Sequence, residues 1–247
     1  MTLISVIDRC RRQVLFSLSP WSCHLCGSAL EDSVDLSTGI CKNCRSAMLH
    51  MEWPMCAVCG LSLSSESHTC LSCRAFGSVF PGIGRMRSCF VYQGIVQTAM
   101  TLFKSGKAKS LRHYWAQEIE QLLPEVWEEG WLIVGAPSSR KNILRRGYDQ
   151  VAVILTTFSR FYRSRVRTHG LNRDQGISQK TLNREERATN LTGKIRVSAQ
   201  LKSELSIAKG VVLVDDVCTT GATLASCATA LIHAGAAAVR AITICRD

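Results

Sequence analysis

The stretch Val211-Val212-Leu213-Val214-Asp215-Asp216-Val217-Cys218-Thr219-Thr220-Gly221-Ala222-Thr223 restricts the fold more than any other part of the chain. Four apolar residues in a row, 211–214, suit an interior parallel strand with both faces buried. With a strand predicted over 210–216, Asp215 and Asp216 fall at its carboxyl end, where open α/β sheets place their ligands. Thr219, Thr220, Gly221, Ala222 and Thr223 join that strand to a helix predicted over 223–233 and closed by Gly235. This turn has the chemistry of an anion site. Gly221 allows close backbone approach, the threonine hydroxyls donate, and free N–H groups at the helix start face the ligand. Two carboxylates directly before a phosphate cradle would repel the phosphate unless they engage something else, such as sugar hydroxyls or a bridging metal. A phosphorylated ribose meets both demands. A lone Asp and one Thr would signify no more than an acidic turn and a helix capped by Thr220 or Thr223; the complete string argues for the phosphate site.

Further strands are predicted at 87–92, 131–136 and 238–245, and helices at 95–104, 110–127 and 149–162. Strands alternating with helices imply an α/β fold, a mostly parallel sheet with flanking helices. In the second helix Leu111, Trp115, Ile119 and Leu122 make one apolar side. Residues 163–190 are polar, basic and too long for a tight connection, and a mobile loop or lid is expected there. Arg145-Arg146-Gly147 could alternatively cap a helix and contact nucleic-acid phosphate. Tyr148, Phe158 and Tyr162 have the rings to stack on bases, but at helical spacing they read as core.

Eight of the thirteen cysteines form four Cys-x-x-Cys pairs within about fifty residues: Cys23/Cys26, Cys41/Cys44, Cys56/Cys59 and Cys70/Cys73. Such spacing matches tetrahedral zinc sites of four thiolates, and four pairs in succession favour structural metal over redox chemistry. Consecutive pairing, Cys23/26/41/44 and Cys56/59/70/73, is preferred to a cross-braced arrangement, with His24 and His68 as bystanders. Two domains are expected: residues 1–80, a small double four-cysteine zinc-ribbon module with an N-terminal helix, and residues 85–247, the α/β domain, joined by the glycine-rich 77–85.

Charge divides unevenly. Residues 1–80 hold six Lys/Arg and six Asp/Glu, so the whole net charge of +11 belongs to residues 81–247. Residues 140–196 alone carry fourteen Lys/Arg against four Asp/Glu, a block that could serve a polyphosphate, a nucleic acid or merely solubility. The first residues place Asp8, Arg9, Arg11 and Arg12 where an export signal would be apolar, and no apolar run approaches the roughly 18 residues of a membrane span. Free thiols, no membrane insertion and a cytoplasmic location are expected.

The 211–223 string closely resembles the phosphoribosyl pyrophosphate (PRPP) signature of type I phosphoribosyltransferases. Ala136-Pro137, Arg145-Arg146-Gly147-Tyr148-Asp149-Gln150 and Gln179-x-x-Leu182-x-x-x-x-Arg187-x-x-Asn190 extend the likeness. Together with the cysteine module they resemble the ComF/GntX family of competence-associated phosphoribosyltransferase-like proteins over nearly the whole chain. Three departures stand out. The family's Arg-Gly-Phe-Asn-Gln is Arg-Gly-Tyr-Asp-Gln here, the second proline of its Pro-x-Pro strand end is missing, and Lys194 replaces an apolar residue. The resemblance implies a type I phosphoribosyltransferase-like domain of nucleoside metabolism. In it Asp215 and Asp216 orient the ribose of PRPP, with Mg2+, and the 219–223 turn holds the 5-phosphate. Ser138, Ser139 and Arg140 contact pyrophosphate, and Arg184 or Arg187 arrives from the mobile segment. It also implies the alternative of a non-catalytic accessory protein that handles single-stranded DNA during uptake, beside a competence helicase or another protein partner.

Overall fold

The computed structural model describes residues 22–64, 67–173 and 195–247. Its first part is short helices hung between cysteine knuckles: α1 (Ser33–Thr38), α2 (Lys42–Ser46) and α3 (Leu71–Phe76). The Asp32 side chain caps α1 by accepting from Asp35 N at 2.7 Å.

Next come β1 (Met86–Val91), α4 (Gly94–Lys104), α5 (Leu111–Leu122), β2 (Trp131–Gly135), α6 (Arg140–Arg146), α7 (Gln150–Leu155), α8 (Arg160–Arg163) and β3 (Val166–Arg167). After them lie β4 (Leu171–Arg173), β5 (Ile195–Val197), α9 (Ala199–Leu205), β6 (Gly210–Cys218), α10 (Ala222–His233) and β7 (Val239–Arg246). The main sheet runs β1-β7-β6-β2-β3 with every neighbouring pair parallel. β4 and β5 form a separate antiparallel pair. Alternation along β6 divides the core. Val212 and Val214 pack with α4, α5 and α7, while Val211 and Leu213 pack with α9 and α10.

Several expectations need correction. The helix expected over 110–127 ends at Leu122, where Pro124 turns the chain into a 3-10 turn at Leu123–Glu125. The helix expected over 149–162 is two pieces, because Thr156 and Thr157 turn their hydroxyls back onto the carbonyls of Val153 and Ile154 and the chain breaks before Ser159. α6 is a helix the sequence reading does not contain, although the alternative reading of Gly147 as a helix end holds: it is the left-handed cap of α6. Within the expected lid, 166–167 and 171–173 are strands, and 174–194 lie outside the described residues.

The segment 77–85 is packed against the sheet, not strung between two bodies. Phe80 and Ile83 are buried and Gly84 N donates to Val239 O at 2.9 Å. The cysteine knuckles are equally anchored. Val91 N donates to Leu49 O and Met51 N to Cys89 O, so residues 49–51 cover the β1 edge of the sheet. Buried Arg87 pairs with Glu125 at 2.6 Å and donates to the carbonyls of Cys56 and Ala57. Tyr148, Phe158 and Tyr162 are partly or fully buried as core residues, although only Tyr162 lies on a helix.

Candidate functional site

The site is built where β2 and β6 end side by side. Their pairing stops at Gly135 and Val214, and Ala136 N still donates to Val214 O at 2.8 Å. Beyond that point β2 gives way to Pro137, Ser138 and Ser139, whereas β6 continues along β7 alone to Cys218, two residues further than its sequence predicts. Asp215 and Asp216 therefore stand at a step in the sheet edge, backed by β7 and open towards the β2 loop. Being consecutive in a strand, they point to opposite faces.

Asp216 turns to the α4 face, where its Oδ2 lies 2.9 Å from Lys104 Nζ. Asp215 is half-buried, and desolvation, then the charge of Asp216, push its carboxyl up to about 7. Donation from Asp216 N, at 2.8 Å, and nearby Lys104 offset part of that rise. Asp149 adds a third negative charge in the same corner. It caps α7 by accepting from Ala152 N at 3.1 Å and takes Ser138 N at 3.4 Å, tying the β2 loop to the next helix.

A stability prediction follows. Between the ordinary 3.8 and about 7, folded Asp215 keeps a proton that the unfolded chain has released, so stability falls as pH rises through that window. Asp215→Asn removes the dependence. Relative to the native protein its thermal stability should improve by on the order of 2 kcal/mol from pH 5 to pH 8. Parallel melting curves at the two pH values would show instead that Asp215 is ionised throughout.

The Thr219–Thr223 turn forms as expected, with the helix one residue earlier. Gly221 is the left-handed cap (φ 72°) of α10, and Thr219 and Thr220 are exposed. Thr220 Oγ1 accepts from Ala222 N at 3.4 Å, and first-turn N–H groups have no carbonyl acceptor inside the helix. Of the residues assigned to the second loop, Ser139 spends its hydroxyl capping α6 by accepting from Asn142 N at 3.3 Å, and Arg140 is exposed at the start of that helix. Arg184 and Arg187 lie outside the described residues. Lys104 is a site residue that sequence reasoning misses; it lies 112 residues from its partner and no local signal marks it. The same holds for a cavity of about 450 Å³ beside it, lined by Thr101, Lys104, Ser105, Arg145 and Arg146.

The cysteines gather as two tetrathiol clusters, Cys23/26/41/44 and Cys56/59/70/73, in the consecutive pairing. A tetrahedron with Zn–S bonds of about 2.3 Å has S···S edges of about 3.8 Å. Cys26–Cys41 at 3.6 Å and Cys59–Cys70 at 3.7 Å meet that requirement, so both donor sets fit zinc. His24 is a bystander: its Nε2 lies 2.9 Å from Ser110 Oγ.

Comparison with known proteins agrees with both halves. Residues 166–247 match the family model of the phosphoribosyl transferase domain, and residues 9–74 match the double zinc ribbon domain. Among curated proteins, the chain is 25% identical over 225 residues to the DNA utilization protein YhgH of Escherichia coli K12, covering 84% of this chain and 97% of that one. It is 22% identical over 213 residues to the competence protein ComFC of Bacillus subtilis, covering 84% of each. It is 24% identical over 241 residues to ComFC of Streptococcus pneumoniae, covering 91% and 99%. Among the described residues no helix is long and apolar enough to cross a membrane.

Proposed function

The chain belongs to the ComF family, a double zinc ribbon in front of a phosphoribosyltransferase domain, and from that premise we propose that it binds PRPP at the stepped edge of β2 and β6. The observation that carries this reading is the placement of two anion-suited loops on adjacent parallel strands, with Asp215 and Asp216 at the step between them. The 219–223 turn takes the 5-phosphate with threonine hydroxyls and helix N–H groups. The carboxylates accept from the ribose hydroxyls, and the 138–140 loop faces the pyrophosphate.

Mg2+ suits a hard oxygen ligand such as the Asp215 carboxylate, and a cation beside it would offset the desolvation and the charge of Asp216 that raise this group; bound there it would neutralise charge on the pyrophosphate. Transfer breaks the C1–oxygen bond, whose electron pair leaves with pyrophosphate, while a nucleophile of an unidentified acceptor bonds to C1 and loses its proton. This chain's part in that is positioning and fixed dipoles. Arg184 and Arg187 are proposed to contact the pyrophosphate. Calorimetric titration of the full chain with PRPP, with and without Mg2+, tests the reading. Saturable, Mg2+-dependent binding is expected, and no heat at millimolar PRPP would exclude it.

The basic cavity favours a second reading, an acidic acceptor or a single strand, in line with the competence and DNA-utilization names of the relatives. If Arg145 faces strand phosphates, affinity for a short single strand should fall with salt, at roughly 0.7 log units per contact per log unit of salt. Arg145→Ala should lower that slope by about one contact without changing PRPP affinity. Absence of strand binding at low salt would leave the transferase alone.

A further inference from the structure

Phe80 and Arg246 point beyond this reading, though the inference rests on taking 219–223 as the phosphate loop. A β-carbon at Gly221 would lie 2.1 Å from Phe80 Cε1 and 2.3 Å from Cδ1, so the ring is laid directly on the loop backbone. Phe80 is 5% exposed and is fixed from behind. Ser78 Oγ accepts from Phe80 N at 3.2 Å and donates to Ile83 O at 3.1 Å, and the Arg246 guanidinium lies 5.3 Å from the ring centroid. That same guanidinium donates to the carbonyl oxygen of Cys59, in the second tetrathiol cluster. Cys56, Cys59, Cys70, Cys73 and Phe80 share one apolar cluster with Cys218 and Leu224, on either side of the loop. Asp247 N donates to Cys218 O at 3.0 Å, securing the end of β6 next to Arg246.

The contacts are contiguous from knuckle to loop: Cys59 carbonyl, Arg246, Phe80, Gly221. We infer that the second tetrathiol knuckle is the buttress of the phosphate loop, with Phe80 and Arg246 as positioning residues, so that metal occupancy of the knuckle and ligand affinity at the loop are linked. An exposed turn offers its N–H groups cheaply only if they are already ordered, because any ordering left to the binding step subtracts from affinity. Linkage is reciprocal: what zinc does for the ligand, the ligand does for zinc.

The test uses zinc-loaded full-length protein with Phe80→Ala and the milder Phe80→Leu. Amide hydrogen exchange needs no ligand. The reporters are Ala225 N, bonded to Gly221 O, and Asp247 N, bonded to Cys218 O, against β2 amides as reference. Phe80→Ala should retain both zinc ions yet exchange about tenfold faster at the reporters and bind PRPP about tenfold more weakly, with Phe80→Leu intermediate. Saturating PRPP should also slow release of one of the two zinc ions to a chromogenic chelator in the native protein and not in Phe80→Ala, which a purely structural role would not produce. Unchanged reporter exchange in Phe80→Ala, with PRPP still bound normally, overturns the buttress and spares the PRPP reading. Faster reporter exchange in a protein whose native form never binds PRPP supports the buttress and overturns the PRPP reading.

Discussion

Asp215→Asn combined with Asp216→Asn should reduce PRPP affinity by about a hundredfold or more while the protein stays folded. Each carboxylate accepting from a ribose hydroxyl makes a hydrogen bond to a charged group, worth about 1.5–3 kcal/mol, and 1.4 kcal/mol is a factor of ten. Two such contacts suffice for the loss. The fold should tolerate the change, since Asn at 215 removes a half-buried carboxyl whose ionisation desolvation and Asp216 disfavour. At 216 the ion pair with Lys104 is lost, but it is one partly exposed pair near the sheet edge. Calorimetry against PRPP·Mg2+, with circular dichroism to confirm the fold, gives the answer. Undiminished affinity in the double variant would mean that the ribose lies elsewhere, and attention would pass to the basic cavity around Arg145.

How far the sequence speaks depends on whether an element is defined locally. Val211–Val214 announces an interior strand because four buried apolar residues need no partner to be named, and the Cys-x-x-Cys spacings declare the two clusters outright. The end of β6 is illegible for the opposite reason: Val217 and Cys218 remain in the strand because β7 continues beside them, which no local pattern encodes. α6 buries no residue and so has no apolar face to read, although Ser139 and Gly147 mark its two ends. Lys104 with Asp216, Phe80 with Gly221 and Arg87 with the Cys56 carbonyl join residues far apart in the chain. Their chemistry is ordinary for surface, linker and strand residues until the fold brings them together. The candidate site is therefore legible as a pair of loops, and illegible as a set of supports.

Those supports determine what metal loss should do. Metal analysis of protein purified without chelator should return two zinc ions per chain; none would remove the zinc reading. Structural zinc contributes an apparent ~10–16 kcal/mol in isolated zinc-finger peptides, which matches or exceeds the ~5–15 kcal/mol that holds a whole domain together. Read from sequence alone, Cys41→Ser with Cys44→Ser should unfold the N-terminal module and leave residues 85–247 able to fold. Packing predicts a wider effect. Cys23, Cys41 and Cys44 are buried in one apolar cluster with Phe90, Leu111 and Trp115, and residues 49–51 cover the β1 edge. Loss of the first cluster thus exposes part of the main core and an unpaired strand edge. The double variant should hold one zinc, melt at least about 10 °C lower, and show faster amide exchange in β1 and α5 as well as in the knuckle. If β1 and α5 keep native protection after that substitution, the knuckle is an appendage whose metal stabilises only itself.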